Sequence, residues 1–525
     1  MGDLLAGAGL LLAVFAAAAA LVWQQSRRRS VAMLVALALV PVLIVADQWN
    51  SAEITDLRDD PTRFAVLAVL AAAAVAALAP LFRRRPLLLP LALIAALPFR
   101  VPIHAGGDEV NLLVPLYLVI AGGVLASVWG GGERDRDGRE PFPPLLSWAL
   151  AAVIVLYALQ SVYSEDFSRA LQNAAFFYVP FALAFVLLAE QRWDRRLLLW
   201  SLGLVAAEAV VFVLFGFWEY ATRHLIWNPE VIRSNDFHTY FRVNSLFWDP
   251  NIYGRYLALA ITALVAVILW LRGSRTLLAL GALALLLWLG LVTTFSQSSF
   301  AALLAGLAAL AALRWSLRWT LLACAGTAAA AAVFVLAAGG SLKIDLTSEQ
   351  KLNKGTGGRA NLITEGIALF GDRPVWGYGS GSFPVAYQEH RTGGSGQLSV
   401  SHTEPVTVAA EQGLIGLTAY LALLAAAFAT FLRGFRGTMP GVRAPPSTSG
   451  VRREANLVAR AALFACFFAL FVHTLAYAGF LEDPLTWVLL SIGGALAGAP
   501  GFAGGAAAQR PGRRPVVAAP ARTPA

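Results

Sequence analysis

The chain is poor in charge and nearly devoid of cysteine. Charged residues make up 14% of its 525 positions, whereas soluble globular domains carry about 25%, so a water-soluble enzyme is excluded. The two cysteines, Cys324 and Cys466, both sit inside apolar runs. They say nothing of the redox compartment and make no metal site without partners. No internal repeat and no soluble catalytic domain is evident.

What is present is apolar. Hydrophobic residues reach 58% and mean hydropathy is +0.66. Ala- and Leu-rich runs recur at lengths near the ~20 residues that cross ~30 Å of hydrocarbon, which indicates spanning helices rather than barrel strands. The pattern predicts an all-α, polytopic membrane bundle of about 12–15 transmembrane helices. Fifteen spans read near 4–23, 31–46, 64–81, 86–99, 111–129, 145–163, 174–189, 197–218, 253–271, 276–295, 299–313, 319–337, 404–432, 457–477 and 484–499. The fourth and eleventh are short enough to be re-entrant or tilted. The first run has no small-residue cleavage site before a polar region and reads as a retained helix, not a signal peptide.

A net charge of +9 with pI 9.8 raises nucleic acid as a partner. The basic residues, however, fall in short clusters between apolar runs, which is the pattern of topology signals. Alternating the spans puts Arg27–Arg29, Arg83–Arg85, Arg192, Arg195, Arg196, the 433–456 loop and the tail on one side, with most of the basic residues. Asp47, Glu53, Asp108, Glu165 and Asp483 fall on the other. By the positive-inside rule the Arg-rich side is cytoplasmic, and the 219–252 and 339–403 loops face outward. Residues 1–499 then form one transmembrane domain, and the Pro/Ala/Arg-rich tail 500–525 reads as disordered and cytoplasmic.

Candidate chemistry gathers in the outer loops. A short helix is predicted near 358–371, with Arg359 in its first turn. Free N–H groups at a Gly-rich helix start, joined by a guanidinium, suit a pyrophosphate. An interfacial helix whose arginine meets lipid phosphate accounts equally well for the same residues. Arg242 and Arg255 flank the turn Asp249-Pro250-Asn251. Arg255 sits about one turn inside a span, where it either binds an anion or snorkels to the interface. His402 abuts a span on its outer side, and a base poised near neutrality is its functional option. Gly413 and Gly416 lie deeper in that span and read as close helix packing. Glu208 and Glu411 are intramembrane carboxylates. His104, His224, His238, His390 and His473 have no comparable setting.

The segment His402-Thr403, nine residues, then Gly413-Leu414-Ile415-Gly416-Leu417-Thr418 resembles the H-[S/T/N]-x9-G-x-x-G-x-T signature of the O-antigen ligase and polymerase superfamily. "GGRANLITEGIALFGDRPVWGYGSGSF" is similar to that family's run of Arg, short helix, Arg-Pro and G-x-G-x-G-F, and "RVNSLFWDPNIYGRYLA" to its R-x-x-G-x-F-x-x-P-N stretch. Two positions depart: Gln297 stands where the family often has Arg, and Ser245 where it commonly has Gly.

The resemblance implies a GT-C-like, metal-independent, cofactor-free, inverting glycosyltransferase of the bacterial cytoplasmic membrane, active on its outer face. It would move an oligosaccharide from undecaprenyl diphosphate to a glycan, lipid or protein acceptor hydroxyl. On the matching positions, Arg242 and Arg359 would hold the diphosphate, with Arg255 as a weaker candidate. His402 would take or orient the acceptor proton, and Asn251, Gly413, Gly416 and Glu411 would support the site. A flippase for the same lipid-linked glycan is the rival from another class, and a protein O-oligosaccharyltransferase the rival within it. A transporter would favour charges near the midplane and broken helices in paired repeats, whereas here the candidate groups concentrate in outer loops.

Overall fold

The structure is a computed structural model that describes residues 2–49, 55, 58–105, 108–129, 142–237, 239–270, 273–337, 359–392, 402–433, 435 and 448–498. The tail 500–525, most of the 433–456 loop, His238 and the Gly/Ser-rich stretches 338–358 and 393–401 lie outside the described residues.

The first part of the chain runs α1 (Gly2–Val22), α2 (Ser26–Asp47), α3 (Pro61–Arg84), α4 (Leu88–Ala96), β1 (Val101–Ala105), β2 (Asp108–Leu112), α5 (Val114–Trp129) and α6 (Pro144–Ser161). A single apolar stretch follows: α7 (Phe167–Asn173), a π-helical turn (Ala174–Tyr178) and α8 (Val179–Ala189). Next come α9 (Arg195–Thr222), α10 (Pro229–Phe237), α11 (Pro250–Trp270), α12 (Ser274–Thr293), α13 (Gln297–Arg314) and α14 (Leu317–Ala337). The chain closes with α15 (Arg359–Asp372), α16 (Phe383–Thr392), α17 (Glu404–Leu432), α18 (Thr448–Thr474) and α19 (Pro484–Ala497).

Among the described residues, 11 helical stretches are long and apolar enough to cross a membrane, and α5 and α19 are shorter apolar helices. The protein is therefore a polytopic helical bundle. One expected span is corrected. Near 86–99 the helix has only nine residues, α4, or about 14 Å at 1.5 Å per residue, roughly half the hydrocarbon thickness. Pro98 brings no N–H to prolong it, and the chain turns into an antiparallel hairpin pairing Val101 with Leu112 and Ala105 with Asp108.

Several helix starts are written in the sequence as side-chain caps. Asp166 accepts from the Arg169 N–H at 3.0 Å, Asp194 from Leu197 at 2.8 Å, and Asp483 from Leu485 at 2.9 Å. Each satisfies a donor that the first helical turn leaves free. The larger core joins α1, α6, α8, α17 and α19 around Phe181, Phe185, Phe431 and Trp487. A second packs α9, α11 and α12 around Phe212, Phe247, Tyr253 and Tyr256. Helix α18 bridges them, packing on α11 and α13. Outward-facing Phe64, Leu67, Val69 and Leu70 of α3 are exposed, as suits side chains that meet lipid.

The C-termini of α6, α9, α12 and α18 and the N-termini of α11, α13, α17 and α19 meet at one end of the bundle. Val243 N–H donates to the Thr293 carbonyl at 3.2 Å, Glu165 N–H to Tyr378 at 3.3 Å, and Arg255 pairs with Asp483 at 2.7 Å. These contacts concentrate the polar residues there.

Candidate functional site

Helix α17 is broken at Gly413, whose φ of 64° and ψ of −160° are open only to glycine. Gly413 is thus not a packing glycine, as its place in an apolar run had implied. The break frees backbone groups in mid-span, where each must find a partner inside the protein. The 374–379 loop supplies them. Tyr378 and Gly379 donate to the Ala410 and Glu411 carbonyls at 3.2 and 2.8 Å, and Leu414 N–H donates to Pro374 at 2.7 Å. Gln160 donates to the Gln412 carbonyl at 3.1 Å. Gly379, with φ 97°, runs against the Ser164 backbone where no Cβ fits.

The Glu411 carboxylate accepts from the Gly381 and Phe383 N–H groups at 2.8 and 3.1 Å and so caps α16. Glu208 instead accepts from the Tyr256 hydroxyl at 2.8 Å, so the two intramembrane carboxylates have separate partners. The Gly-rich run and the His-x9-Gly run form one packed unit.

Beside this unit lies a buried polar cluster. Arg242 donates from Nε to the Thr294 carbonyl at 3.0 Å and from Nη2 to Asn251 Oδ1 at 3.3 Å. Asn251 Oδ1 also accepts from Ser296 Oγ at 2.8 Å. Ser296 continues the chain to Ser298 and Ser299, whose hydroxyls lie 3.2 and 3.4 Å from His473 Nε2. The Tyr477 ring is the hub. His473 and His402 lie 5.7 and 6.1 Å away between ring centroids, and the Arg255 guanidinium carbon lies 6.0 Å from its centre. Burial, and after it the neighbouring Asp249, raises the Tyr477 hydroxyl well above its usual pKa, so the phenol stays protonated.

Arg255 does not snorkel. It and Asp483 are each 3% exposed in their 2.7 Å ion pair, and among the described residues its Nε and Nη1 have no hydrogen-bond partner. Arg100 joins this electrostatic group, with Asp483, Arg255, Tyr477 and Tyr117 as neighbours.

The structure therefore brings Arg242 to Asn251, and Arg255 and His402 to a shared tyrosine. Arg359 opens α15, and its side chain lies outside the described residues. Gln297 is exposed and outside the cluster. His473, Tyr477, Asp483, Arg100 and the three serines were missed by motif reading. The available signal was "HTLAYAGFLEDP" between the last two spans, a polar stretch too rich in His, Tyr and carboxylates for a simple connection.

The eleven spanning-length helices among the described residues, with a polar cluster at one end, define a multi-pass membrane protein. Residues 282–421 match the family model of O-antigen ligase, and the match supports the O-antigen ligase/polymerase superfamily, whose members carry out glycosyl transfer. It runs from α12 through the serine turn, α15, the Gly-rich loop and His402 to just past the break in α17. No curated protein matches the chain.

Proposed function

We propose that this protein transfers an oligosaccharide from undecaprenyl diphosphate to an acceptor hydroxyl at the outer face of a bacterial cytoplasmic membrane. The observation that carries the reading is the meeting of His402, Arg255 and, through the serine chain, Arg242 around Tyr477 and His473. Arg242 and Arg359 hold the diphosphate, with Arg255, buried in its ion pair with Asp483, as the weaker candidate. His402 accepts the acceptor proton as that oxygen attacks the anomeric carbon from the side opposite the leaving group. The new C–O bond forms as the sugar–phosphate bond breaks, its electron pair leaves with the diphosphate, and the configuration inverts. Preorganised guanidinium groups in a poorly solvated site stabilise the charge developing on the leaving group, so no metal is required. Base catalysis adds about 10²–10⁴-fold.

The test is transfer from purified polyprenyl-diphosphate oligosaccharide in nanodiscs, with excess EDTA. His402→Ala is expected to lose transfer by at least about 100-fold while inserting normally; full transfer removes His402 from the chemistry. Arg359→Ala should weaken donor binding far more than Arg373→Ala, because Arg373 is engaged with Glu165 at 2.8 Å and stacked 4.1 Å over Tyr378. Equal losses would point to generic surface charge. Activity lost in EDTA and restored by a divalent ion would overturn the metal-free route. Whether products lengthen or move to another acceptor separates polymerase, ligase and protein glycosylation.

A further inference from the structure

His473, in the last turn of α18, is fully buried and belongs to no motif. Its Nε2 reaches two hydroxyls in the first turn of α13, Ser298 Oγ at 3.2 Å and Ser299 Oγ at 3.4 Å. Both lie against Ser296 Oγ, at 3.2 and 2.8 Å. Ser296 Oγ donates to Asn251 Oδ1 of α11 at 2.8 Å, and the same oxygen accepts from Arg242 Nη2 at 3.3 Å. Hydrogen bonds therefore run without a gap from an imidazole on α18 to the guanidinium in the loop before α11.

The direction of the chain follows from what each group can do. A guanidinium has no acceptor, so the Asn251 atom facing it is the carbonyl oxygen, which only accepts. Ser296 thus gives its one proton to Asn251 and receives from its serine neighbours. Ser296, Ser298, Ser299 and Asn251 are all buried, so a lost link leaves an unsatisfied polar group and the others shift to meet it.

Two contacts set the guanidinium: the Thr294 carbonyl takes Nε at 3.0 Å, and Asn251 takes Nη2. Both depend on the turn 294–296, and that turn is strained. Phe295 has φ 50°, a left-handed conformation that is costly to a side chain. Strain of this kind persists where the surroundings over-determine it, and the serines with His473 are such surroundings. Polar side chains between helices also serve as plain packing contacts, for which one pair suffices. Here the chain continues past the helix contact and ends on the guanidinium.

We propose that His473 is a positioning residue for Arg242: through the three serines and Asn251 it fixes the guanidinium in the orientation that holds the donor's diphosphate. The inference rests on the glycosyl-transfer reading above. Losing the imidazole then misplaces Arg242 without removing its charge. Such misplacement matters because developing negative charge is stabilised best by donors already aimed at it.

The experiment measures initial rates of transfer in nanodiscs against polyprenyl-diphosphate oligosaccharide, giving kcat/KM for the donor. His473→Leu, which fills the space without a hydrogen bond, is expected to lower it about 10-fold, as loss of one buried hydrogen bond does. His473→Gln returns an amide that donates or accepts near the Nε2 position, and should recover to within about 3-fold of the parent. The ammonium of Arg242→Lys lacks the guanidinium fork. In that background His473→Leu should add less than about 2-fold, because residues acting as one unit are not additive. A loss shared equally by the leucine and glutamine variants, or one that multiplies with Arg242→Lys, overturns the positioning role. Ser296→Ala keeps the imidazole and cuts the chain beside Asn251. It should show the same loss of about 10-fold, and parental kcat/KM there overturns the proposal even where His473→Leu does not fold. A parent that transfers nothing removes the glycosyl-transfer reading, whereas a parent that transfers while His473→Leu keeps its kcat/KM removes this inference alone.

Discussion

At the residue scale, Ser245 holds a backbone conformation that glycine adopts more readily. Its φ is 51°, in the left-handed region where a side chain costs roughly 1–2 kcal/mol. Serine holds the conformation with two buried bonds: its N–H donates to Glu219 Oε2 at 2.7 Å and its hydroxyl to the Phe212 carbonyl at 2.7 Å. Ser245→Ala keeps the strain and loses the hydroxyl bond, and is expected to destabilise by about 1–1.5 kcal/mol. Ser245→Gly loses the same bond but relieves the strain, so it should stay within about 0.5 kcal/mol of the parent. Thermal unfolding of both variants decides; equal destabilisation would mean that the backbone there is not strained.

At the element scale, the break in α17 makes the Gly-rich loop part of the helix. A methyl group on Gly413 would strike the Val375 carbonyl and require a conformation that L-residues avoid. Gly413→Ala is therefore expected to cost about 3 kcal/mol or more. The helix would straighten, the 374–379 loop would be expelled, and the loop and Glu411 cap would be lost together. Protease cleavage within 374–382, slow in the parent and fast in the variant, reports the expulsion; unchanged cleavage would show that the loop does not depend on the break. The glycines were conspicuous in the sequence because their spacing is fixed. Their role was hidden, because hydropathy reports burial and is blind to a backbone that leaves the helix and returns.

At the scale of the whole molecule, the bundle was legible because crossing hydrocarbon demands long apolar runs, and those are visible one residue at a time. Segment 86–99 misled because its composition is apolar while proline, not composition, limits the helix. The polar cluster was half legible. Arg242 and His402 carry motifs, but His473 and Tyr477 acquire meaning only when α18 brings them to the serine turn of α13. The orientation of the bundle is the remaining prediction, and helix α9 tests it from both ends. Its N-terminus follows Arg192 and begins with Arg195 and Arg196, and exposed Thr222 closes it beside the loop leading to Arg242. A lysine- and arginine-rich flank stays on the cytoplasmic side, which places Thr222 and the whole polar cluster outside. With exposed Cys324 replaced by serine and buried Cys466 retained, Thr222→Cys should react with a membrane-impermeant maleimide in intact cells. Arg196→Cys should react only after permeabilisation. The reverse pattern would put His402 and Arg242 in the cytoplasm, where no outward-facing lipid-linked glycan reaches them, and labelling of both from outside would show that α9 does not cross.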